Sequence, residues 1–391
     1  MSTVQSTPEV KLPVESRHSP ELDGVRGLAI LGVLLAHGVL FLGVMPDSHK
    51  GRLLTMALVP GWGGVDLFFT LSGFLITGIL LRARKRPRYF SSFYMRRILR
   101  IFPIYYLFLI LTVVLVHFAP TISYLIPTGF RLRLSYFFYL QNWPVFWSSW
   151  AGLTTLWGAF WSLAVEEQFY MIWPTVIRYV NLRTVALACI AGFLLGWPER
   201  AYMMHRHPDL FGVMQWPFSR LDGMLLGASI AIYKEIRGRA VPLSWAISSF
   251  IAGAAVFAWI LLFHSSELVA GNGFDVWGIG VTGYALMSGG LIAATQHRVK
   301  WLHRVLTIRP LLVLGRLSYG MYVYHLTIYM LIISFQPLSK YKASTSIISP
   351  LIWIACSILL VTGVAELSFQ CVETPFLKLK RFFPSPAAPV V

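Results

Sequence analysis

The stretch RARKRPRYFSSFYMRRILR, at positions 82–100, contains eight cations and no acid, and it directly follows a long apolar run. Basic residues of membrane proteins collect in cytoplasmic loops, so we expect this segment to lie in the cytoplasm. The composition favours a membrane location, because 56% of the 391 residues are apolar and only 13% are charged. Soluble domains carry about 25% charged residues. A water-soluble globule and a disordered chain are therefore excluded.

Apolar runs close to the ~20 residues that a membrane-spanning helix needs recur on both sides of this segment. Two candidates are weak, because 184–197 is short and 210–233 is interrupted by Pro217. A further short apolar run covers 134–143. The clear candidates are 24–44, 61–81, 101–118, 161–177, 243–263, 276–295, 311–334 and 350–372.

The distribution of charge sets the number of crossings. The net charge is +17, from 33 basic and 16 acidic residues. We let successive apolar runs cross the membrane in alternating directions, starting from the cytoplasmic basic segment. With this arrangement 22 cations face the cytoplasm and eight, among them Arg200, lie in outer loops. This agreement with the positive-inside rule holds only if 134–143 does not cross. We therefore predict an all-α membrane protein with about ten transmembrane helices, both termini in the cytoplasm, and one short re-entrant or interfacial segment near 134–143.

We expect one membrane domain at 22–382, between a disordered cytoplasmic tail at 1–21 and a cytoplasmic tail at 383–391. The bilayer of the cytoplasmic (inner) membrane is the expected partner, no nucleic-acid partner is expected, and the oligomeric state is left open. The three cysteines lie inside apolar runs, and neither a Walker loop nor an HExxH sequence occurs. No disulfide framework or metal site is predicted.

Arg26 and His37 are the first ionisable residues inside a predicted span. Such residues cost roughly 2.5–3.5 kcal/mol each and usually face an interior cavity. Eleven residues of helix place the two on nearly the same face, about 16 Å apart along the axis. Arg26 alone fits a surface anchor, but a histidine among leucines and valines indicates a polar pathway.

Two further pairs of charged residues have helical spacing. Glu166 and Glu167 lie between apolar turns about 100° apart, so at least one must face inward. Arg97 and Arg100 are neighbours on one helical face at the cytoplasmic rim. They fit either a membrane anchor or a clamp for a phosphorylated ligand, because guanidinium groups match phosphate oxygens.

The remaining polar residues in or beside spans keep two interpretations open. Asp66 begins a span, where an acid can simply act as a partner of the helix dipole. Arg220 and Asp222 fit a local ion pair. Arg316 and His325 flank a tyrosine-rich stretch, which fits either an interfacial belt or the lining of a cavity.

Seven sequence blocks carry a family resemblance. They are LDGVRG at 22–27 with His37, GVDLFFTLSGF at 64–74, RRILRIFP at 96–103, WSLAVE at 161–166, RLD at 220–222, LGRLSY at 314–319 and ETPF at 373–376. Together, and in this order, they resemble the acyltransferase-3 family of multi-pass membrane O-acyltransferases. The blocks cover nearly all of the chain after residue 21.

The resemblance implies about ten transmembrane helices and the transfer of an acyl group, often acetyl, to a hydroxyl. The donor would be cytoplasmic acyl-CoA, as co-substrate and without a bound cofactor. The acceptor would be a sugar-containing molecule, such as an exported or surface polysaccharide, peptidoglycan or a macrolide sugar. The chain is expected to end in a short tail, without the extra-cytoplasmic esterase-like domain that some members carry.

The family's motifs match particular residues of this chain. Its Arg-to-His spacing matches Arg26 and His37, its Arg-x-x-Arg element matches Arg97 and Arg100, and its glutamate matches Glu166. His37 would act as the base or carry an acyl group, and Glu166 would orient it or bind acceptor hydroxyls. The arginines would hold CoA, with Arg26 nearer the thioester. The residues expected to line the cavity or contact the acceptor are Asp23, Asp66, Arg220, Asp222 and His325.

The alternative is a transporter or flippase that uses the same buried polar residues as a relay, without acyl chemistry. The relay would consist of Arg26, His37, Glu166 and Asp222. No internal repeat is visible in the sequence, so an inverted-repeat transporter gains no support. Thioester cleavage coupled to acceptor acylation distinguishes the two functions.

Overall fold

The structure is a computed structural model that describes residues 19–42, 49–143, 155–207, 210–270, 273–297, 299–335 and 348–383. The two predicted tails lie outside these ranges except at their inner ends. Pro20 and Glu21, which we predicted in the N-terminal tail, form the first turn of the first helix.

The described part of the chain is helical and contains no strand. In chain order the helices are α1 (Pro20–Leu42), α2 (His49–Leu58), α3 (Gly64–Ala83), α4 (Tyr89–Phe118), α5 (Phe130–Phe137), α6 (Phe160–Tyr179), α7 (Leu182–Arg206), α8 (Leu210–Gln215), α9 (Leu221–Arg237), α10 (Leu243–Phe263), α11 (Ser265–Ala270), α12 (Phe274–Trp277), α13 (Ile279–Thr295), α14 (Lys300–Leu306), α15 (Arg309–Phe335), α16 (Ile348–Ser368) and α17 (Thr374–Lys378).

Seven helical stretches in these ranges are long and apolar enough to cross a membrane, and they include all or most of α1, α3, α4, α7, α10, α13 and α16. The all-α membrane class is therefore confirmed, while the number of about ten crossings stays a prediction. Three other helices of at least 17 residues, α6, α9 and α15, carry buried polar groups. Among these groups are Glu167, Asp222 and His325.

The two weak spans differ from their predicted bounds. The run at 184–197 belongs to α7, which has 25 residues. The run at 210–233 is not one helix, because the chain leaves α8 at Gln215 and enters α9 only after a 3₁₀ turn at Phe218–Arg220. Pro217 lies at this break, where its missing N–H and fixed φ disfavour a continuous α-helix.

The segment near 134–143 folds back between α4 and α6. Its helix α5 has eight residues, or about 12 Å, which is too short to cross a membrane. Tyr105 of α4 donates a hydrogen bond to the Tyr136 carbonyl at 2.8 Å. Gln168 of α6 donates to the Tyr139 carbonyl at 2.6 Å. The segment thus packs against two long helices, in agreement with a short re-entrant or interfacial element.

The basic loops meet at one end of the bundle. Arg84 donates to the Val180 carbonyl at 2.8 Å, and Arg96 donates to the carbonyls of Lys380 and Phe383 at 3.2 and 2.8 Å. The loops around residues 82–88, 178–183 and 378–383 are therefore neighbours, as alternating spans require. The cytoplasmic orientation of this end stays a prediction.

Glycines allow the site helices to approach each other closely. A Cβ added at Gly27 of α1 would lie 2.0 Å from the Leu311 carbonyl oxygen of α15, and one at Gly73 of α3 would lie 2.0 Å from the Met224 carbonyl oxygen of α9. Small residues permit this backbone-to-backbone packing in membrane proteins. The α1–α15 contact therefore fixes the position of the charged residues of α1 along the helix axis relative to α15.

We expect Gly27→Ala to lower the stability of the protein, because the new methyl group would force α1 away from α15. Overpacking of this kind costs about 1–3 kcal/mol. Gly363→Ala is the matched control, since nothing lies within 4 Å of a Cβ at that position. The melting temperatures of both variants in the same detergent test this prediction. Equal values for Gly27→Ala and wild type would contradict the close contact.

Candidate active site

A cavity of about 120 Å³, hereafter the chamber, lies among α1, α3, α4, α6 and α15. It brings together four predicted site residues: Arg26, Arg97, Arg100 and Glu166. The other polar residues that line it are Ser72, Ser162, Glu167, Tyr170, Ser318, Tyr319 and Tyr322. Residues from five helices thus form one polar compartment inside an otherwise apolar bundle.

Arg97 and Arg100 reach the chamber from the first half of α4. They lie about one turn apart, so the predicted common face is confirmed. The Arg97 guanidinium lies 4.6 Å from the centre of the Tyr170 ring, within cation–π distance. Among the described residues, the ion pairs involve neither Arg97 nor Arg100. Both guanidinium groups therefore leave positive charge exposed to the cavity.

Glu166 accepts hydrogen bonds from two chamber hydroxyls. Ser72 donates to its Oε1 at 2.8 Å, and Tyr170 donates to its Oε2 at 3.2 Å. Glu167 also lines the chamber. Both glutamates therefore face the chamber, which confirms the prediction that at least one of them faces inward.

A second cavity of about 410 Å³, hereafter the mouth, adjoins the chamber and shares Arg26, Arg97 and Arg100 with it. Six of its twelve lining residues are cations, and Asp23 is the one acid among them. Asp23 forms an ion pair with Arg26 at 2.5 Å. The three additional cations are Arg96, Arg316 and Lys380. The mouth is thus a strongly basic entrance at the end of the bundle where the basic loops meet.

His37 lies deeper along α1, beside His325 of α15. Their ring centres are 4.9 Å apart. His37 Nδ1 is 3.0 Å from the Val33 carbonyl oxygen, and His325 Nδ1 is 2.7 Å from that of Tyr322. Because a carbonyl oxygen only accepts, Nδ1 of each neutral ring carries the proton and Nε2 keeps the lone pair. Tyr322 also lines the chamber, so the histidine pair lies directly behind the chamber wall.

Asp66, Arg220 and Asp222 do not line the chamber. Arg220 Nη2 pairs with Asp66 Oδ1 at 3.0 Å, and Asp222 Oδ2 pairs with Arg200 Nη2 at 3.0 Å. The predicted local pair between Arg220 and Asp222 is therefore wrong. Arg220 and Asp222 are two residues apart at the start of a helix, so their side chains point about 200° apart and contact different partners.

Arg200 corrects a second prediction, because we counted it among the cations of the outer loops. It lies in α7 and is fully buried. Besides its ion pair, its guanidinium donates to the carbonyls of Gly278 and Ser219 at 3.0 and 2.8 Å, and to the Thr282 hydroxyl at 2.5 Å. The sequence offered no sign of these partners, since they come from two other segments of the chain, 219–222 and 278–282.

Sequence reasoning also missed several lining residues. Tyr170 and Lys380 belong to no block that we singled out for chemistry, and their positions follow from tertiary packing alone. Ser72 lay inside a recognised block, so its place in that block could have identified it. For Tyr319 and Tyr322 the sequence left two interpretations open, and the structure favours cavity lining over an interfacial belt.

A helical membrane bundle with a charged internal cavity agrees with the family that matches this sequence. The family model described as an acyltransferase domain matches residues 19–367. The chain therefore belongs to the acyltransferase-3 family, and the resemblance of the seven blocks is confirmed.

Curated relatives of the chain include three bacterial proteins. The peptidoglycan O-acetyltransferase OatA of Listeria monocytogenes is 29% identical over 397 positions, which cover 93% of this chain and 56% of the relative. The O-acetyltransferase OatA of Staphylococcus aureus is 27% identical over 398 positions, which cover 93% of this chain and 58% of the relative. The putative peptidoglycan O-acetyltransferase YrhL of Bacillus subtilis is 28% identical over 383 positions, which cover 92% of this chain and 55% of the relative. The chain thus spans somewhat more than half the length of these relatives. No solved structure matches it.

A double-mutant cycle on Arg200→Met and Asp222→Asn tests the corrected pairing. Each single variant should lose about 3–5 kcal/mol, because its partner becomes an uncompensated buried charge. The double variant should recover part of that loss. The half-exposed pair Arg316–Glu366 is the control and should contribute at most about 1 kcal/mol. A larger coupling between Arg220 and Asp222 than between Arg200 and Asp222 would contradict the structure.

Proposed function

We propose that the protein is a membrane O-acyltransferase that moves an acetyl group from cytoplasmic acyl-CoA to a hydroxyl of an exported glycan. The observation that carries the proposal is the basic mouth that adjoins the chamber and shares three arginines with it. A cavity with six cations and one acid suits a ligand with several phosphate groups, and coenzyme A is such a ligand. Membership of the acyltransferase-3 family favours acyl chemistry over the transporter alternative.

The arginines of the mouth are assigned to the phosphates of the donor. Arg97 and Arg100 present guanidinium groups at the junction of mouth and chamber, and a guanidinium binds phosphate through two parallel hydrogen bonds. Lys380 adds a third cation from the C-terminal part of the chain. Arg26, already paired with Asp23, is the innermost cation on α1 and would lie nearest the pantetheine arm.

His37 is assigned as the general base. Its Nδ1 is held by the Val33 carbonyl, so Nε2 is the atom that can accept a proton. The acceptor oxygen attacks the thioester carbonyl carbon while Nε2 takes the hydroxyl proton. A C–O bond forms, the C–S bond breaks, and the proton passes to the leaving CoA thiolate. The products are an ester and free CoA, and the base is regenerated.

Glu166 is assigned as a positioning residue of the chamber. It accepts hydrogen bonds from Ser72 and Tyr170, and the Tyr170 ring in turn supports the Arg97 guanidinium. Through these contacts, Glu166 would hold three helices in the arrangement that the donor needs. The carboxylate would also limit the positive charge of the compartment around the donor arm.

The relatives direct the choice of acceptor. Two of them carry names that state peptidoglycan O-acetylation, and we extend this acceptor class to the present chain. The hydroxyl would reach the histidine pair from the side of the bundle opposite the mouth. Donor and acceptor would then meet at His37, about 16 Å from Arg26.

Replacing Arg97 and Arg100 by alanine should raise the KM for acetyl-CoA at least about tenfold per residue. Loss of a hydrogen bond to a charged group costs about 1.5–3 kcal/mol. Lys85→Ala is the matched control, because Lys85 is an exposed cation of the same basic segment and does not line the mouth. CoA release by purified protein with a muropeptide acceptor measures the effect. Unchanged donor kinetics in the arginine variants would remove the proposed clamp.

His37→Gln should lower kcat for acetyl transfer at least about 10²-fold, because the base is lost, while the KM for acetyl-CoA stays within a few-fold. His205→Gln is the control, since His205 is an exposed histidine of α7. Mass spectrometry of the acceptor follows the ester product. Activity of His37→Gln within a few-fold of wild type would exclude His37 as the base, and wild-type protein that neither cleaves the thioester nor acetylates the acceptor would favour transport.

A further inference from the structure

A large groove lies away from the chamber, on the side of the bundle formed by α7, α9, α10 and α13. Its volume is about 910 Å³. Most of its lining is apolar, and two cations, Arg183 and Arg237, belong to it. No acidic residue is among the residues that line it. The groove is thus a long apolar surface with a net positive charge.

The groove opens toward the bilayer. Leu187 and Ile190 of α7 line it and are 68% and 51% exposed. On a helix long and apolar enough to cross a membrane, as α7 is, such side chains contact acyl chains. The bilayer core contains no water, so a lateral apolar groove of this volume on a membrane helix has lipid as its natural occupant.

The groove has the depth of one membrane leaflet. Along α9 its lining runs from Leu226 to Arg237, which corresponds to about 16 Å of helix. The hydrocarbon core of a bilayer is about 30 Å thick. A lipid whose chains fill the groove would therefore have its headgroup at the level of Arg237.

The charged end of the groove has the features of a headgroup site. Arg183 and Arg237 are both exposed, and neither takes part in the ion pairs found among the described residues. Tyr233 and Trp245 line the same end, with ring centres 6.0 Å apart, and such residues are typical of the membrane interface. Basic pockets between membrane helices bind anionic lipid headgroups.

We propose that this groove is a binding site for an anionic glycerophospholipid, whose phosphate contacts Arg183 and Arg237 and whose acyl chain lies along α7 and α9. The site is separate from the chamber and does not depend on the acyltransferase proposal. The proposed lipid site also affects helix packing, because the face of α9 opposite the groove packs on α3. There a Cβ at Gly227 would lie 2.0 Å from the Thr70 carbonyl oxygen, so the lipid would support α9 against α3.

The test is lipid retention by the delipidated full chain, measured by native mass spectrometry with dioleoylphosphatidylglycerol and dioleoylphosphatidylcholine. Wild type should prefer phosphatidylglycerol. Arg183→Gln with Arg237→Gln should lower the apparent affinity for phosphatidylglycerol roughly 30-fold. Lys234→Gln with Arg239→Gln removes the same charge from neighbouring exposed positions outside the groove and should leave the preference intact.

A second pair of variants tests the apolar part without changing charge. Ile190→Trp should reduce retention of phosphatidylglycerol, because it places a large ring in the groove. Leu194→Trp is its control, one turn further along α7, exposed and outside the lining. Equal retention of both lipids by wild type, or an equal loss in the Lys234/Arg239 control, would overturn the proposal. If the double arginine variant fails to fold, the wild-type comparison and Ile190→Trp decide.

Discussion

A charged side chain inside a bilayer needs a counter-charge, a polar cavity or access to the membrane surface, and this requirement places most polar groups of the protein. Two groups of charged residues satisfy this requirement in different ways. Asp66–Arg220 and Arg200–Asp222 are buried ion pairs with no net charge. The chamber and mouth instead collect arginines that exceed the nearby acids. The first group is electrically complete, whereas cations outnumber acids in the second, and this difference supports the proposal that the second group binds an anionic donor.

The packing of α1 on α15 links that site to the histidine pair. Arg26 and His37 are on one helix, so their separation is set by the helical rise and not by flexible loops. The Gly27 contact brings α1 close to α15, which carries His325 and Tyr322. A slip of one turn between these helices would move both Arg26 and His37 relative to Tyr322. Close glycine packing therefore acts on the geometry of the site as well as on stability.

The sequence predicted those features that depend on local spacing. Arg97 and Arg100 share a face because they are three residues apart on one helix. The distribution of cations along the chain predicted that the segment 134–143 does not cross the membrane. Ion pairs between different helices could not be predicted from local spacing. Asp222 is only two residues from Arg220 in sequence, yet it pairs with Arg200 of α7, because the helix turns the two side chains in different directions. Lys380 reaches the mouth only through the return of the C-terminal segment to α4.

The distance between the mouth and the histidine pair limits the donors that the proposed reaction can use. Arg26, which we assign to the donor arm, and His37 are about 16 Å apart along α1. A small activated acetyl compound held at its phosphate would leave its carbonyl carbon near Arg26, far from the base. A donor with a long, uncharged arm between phosphate and thioester would span this distance along α1 while its phosphates stay in the mouth. The ~16 Å separation along α1 therefore supports the proposal of a CoA thioester over that of a smaller donor.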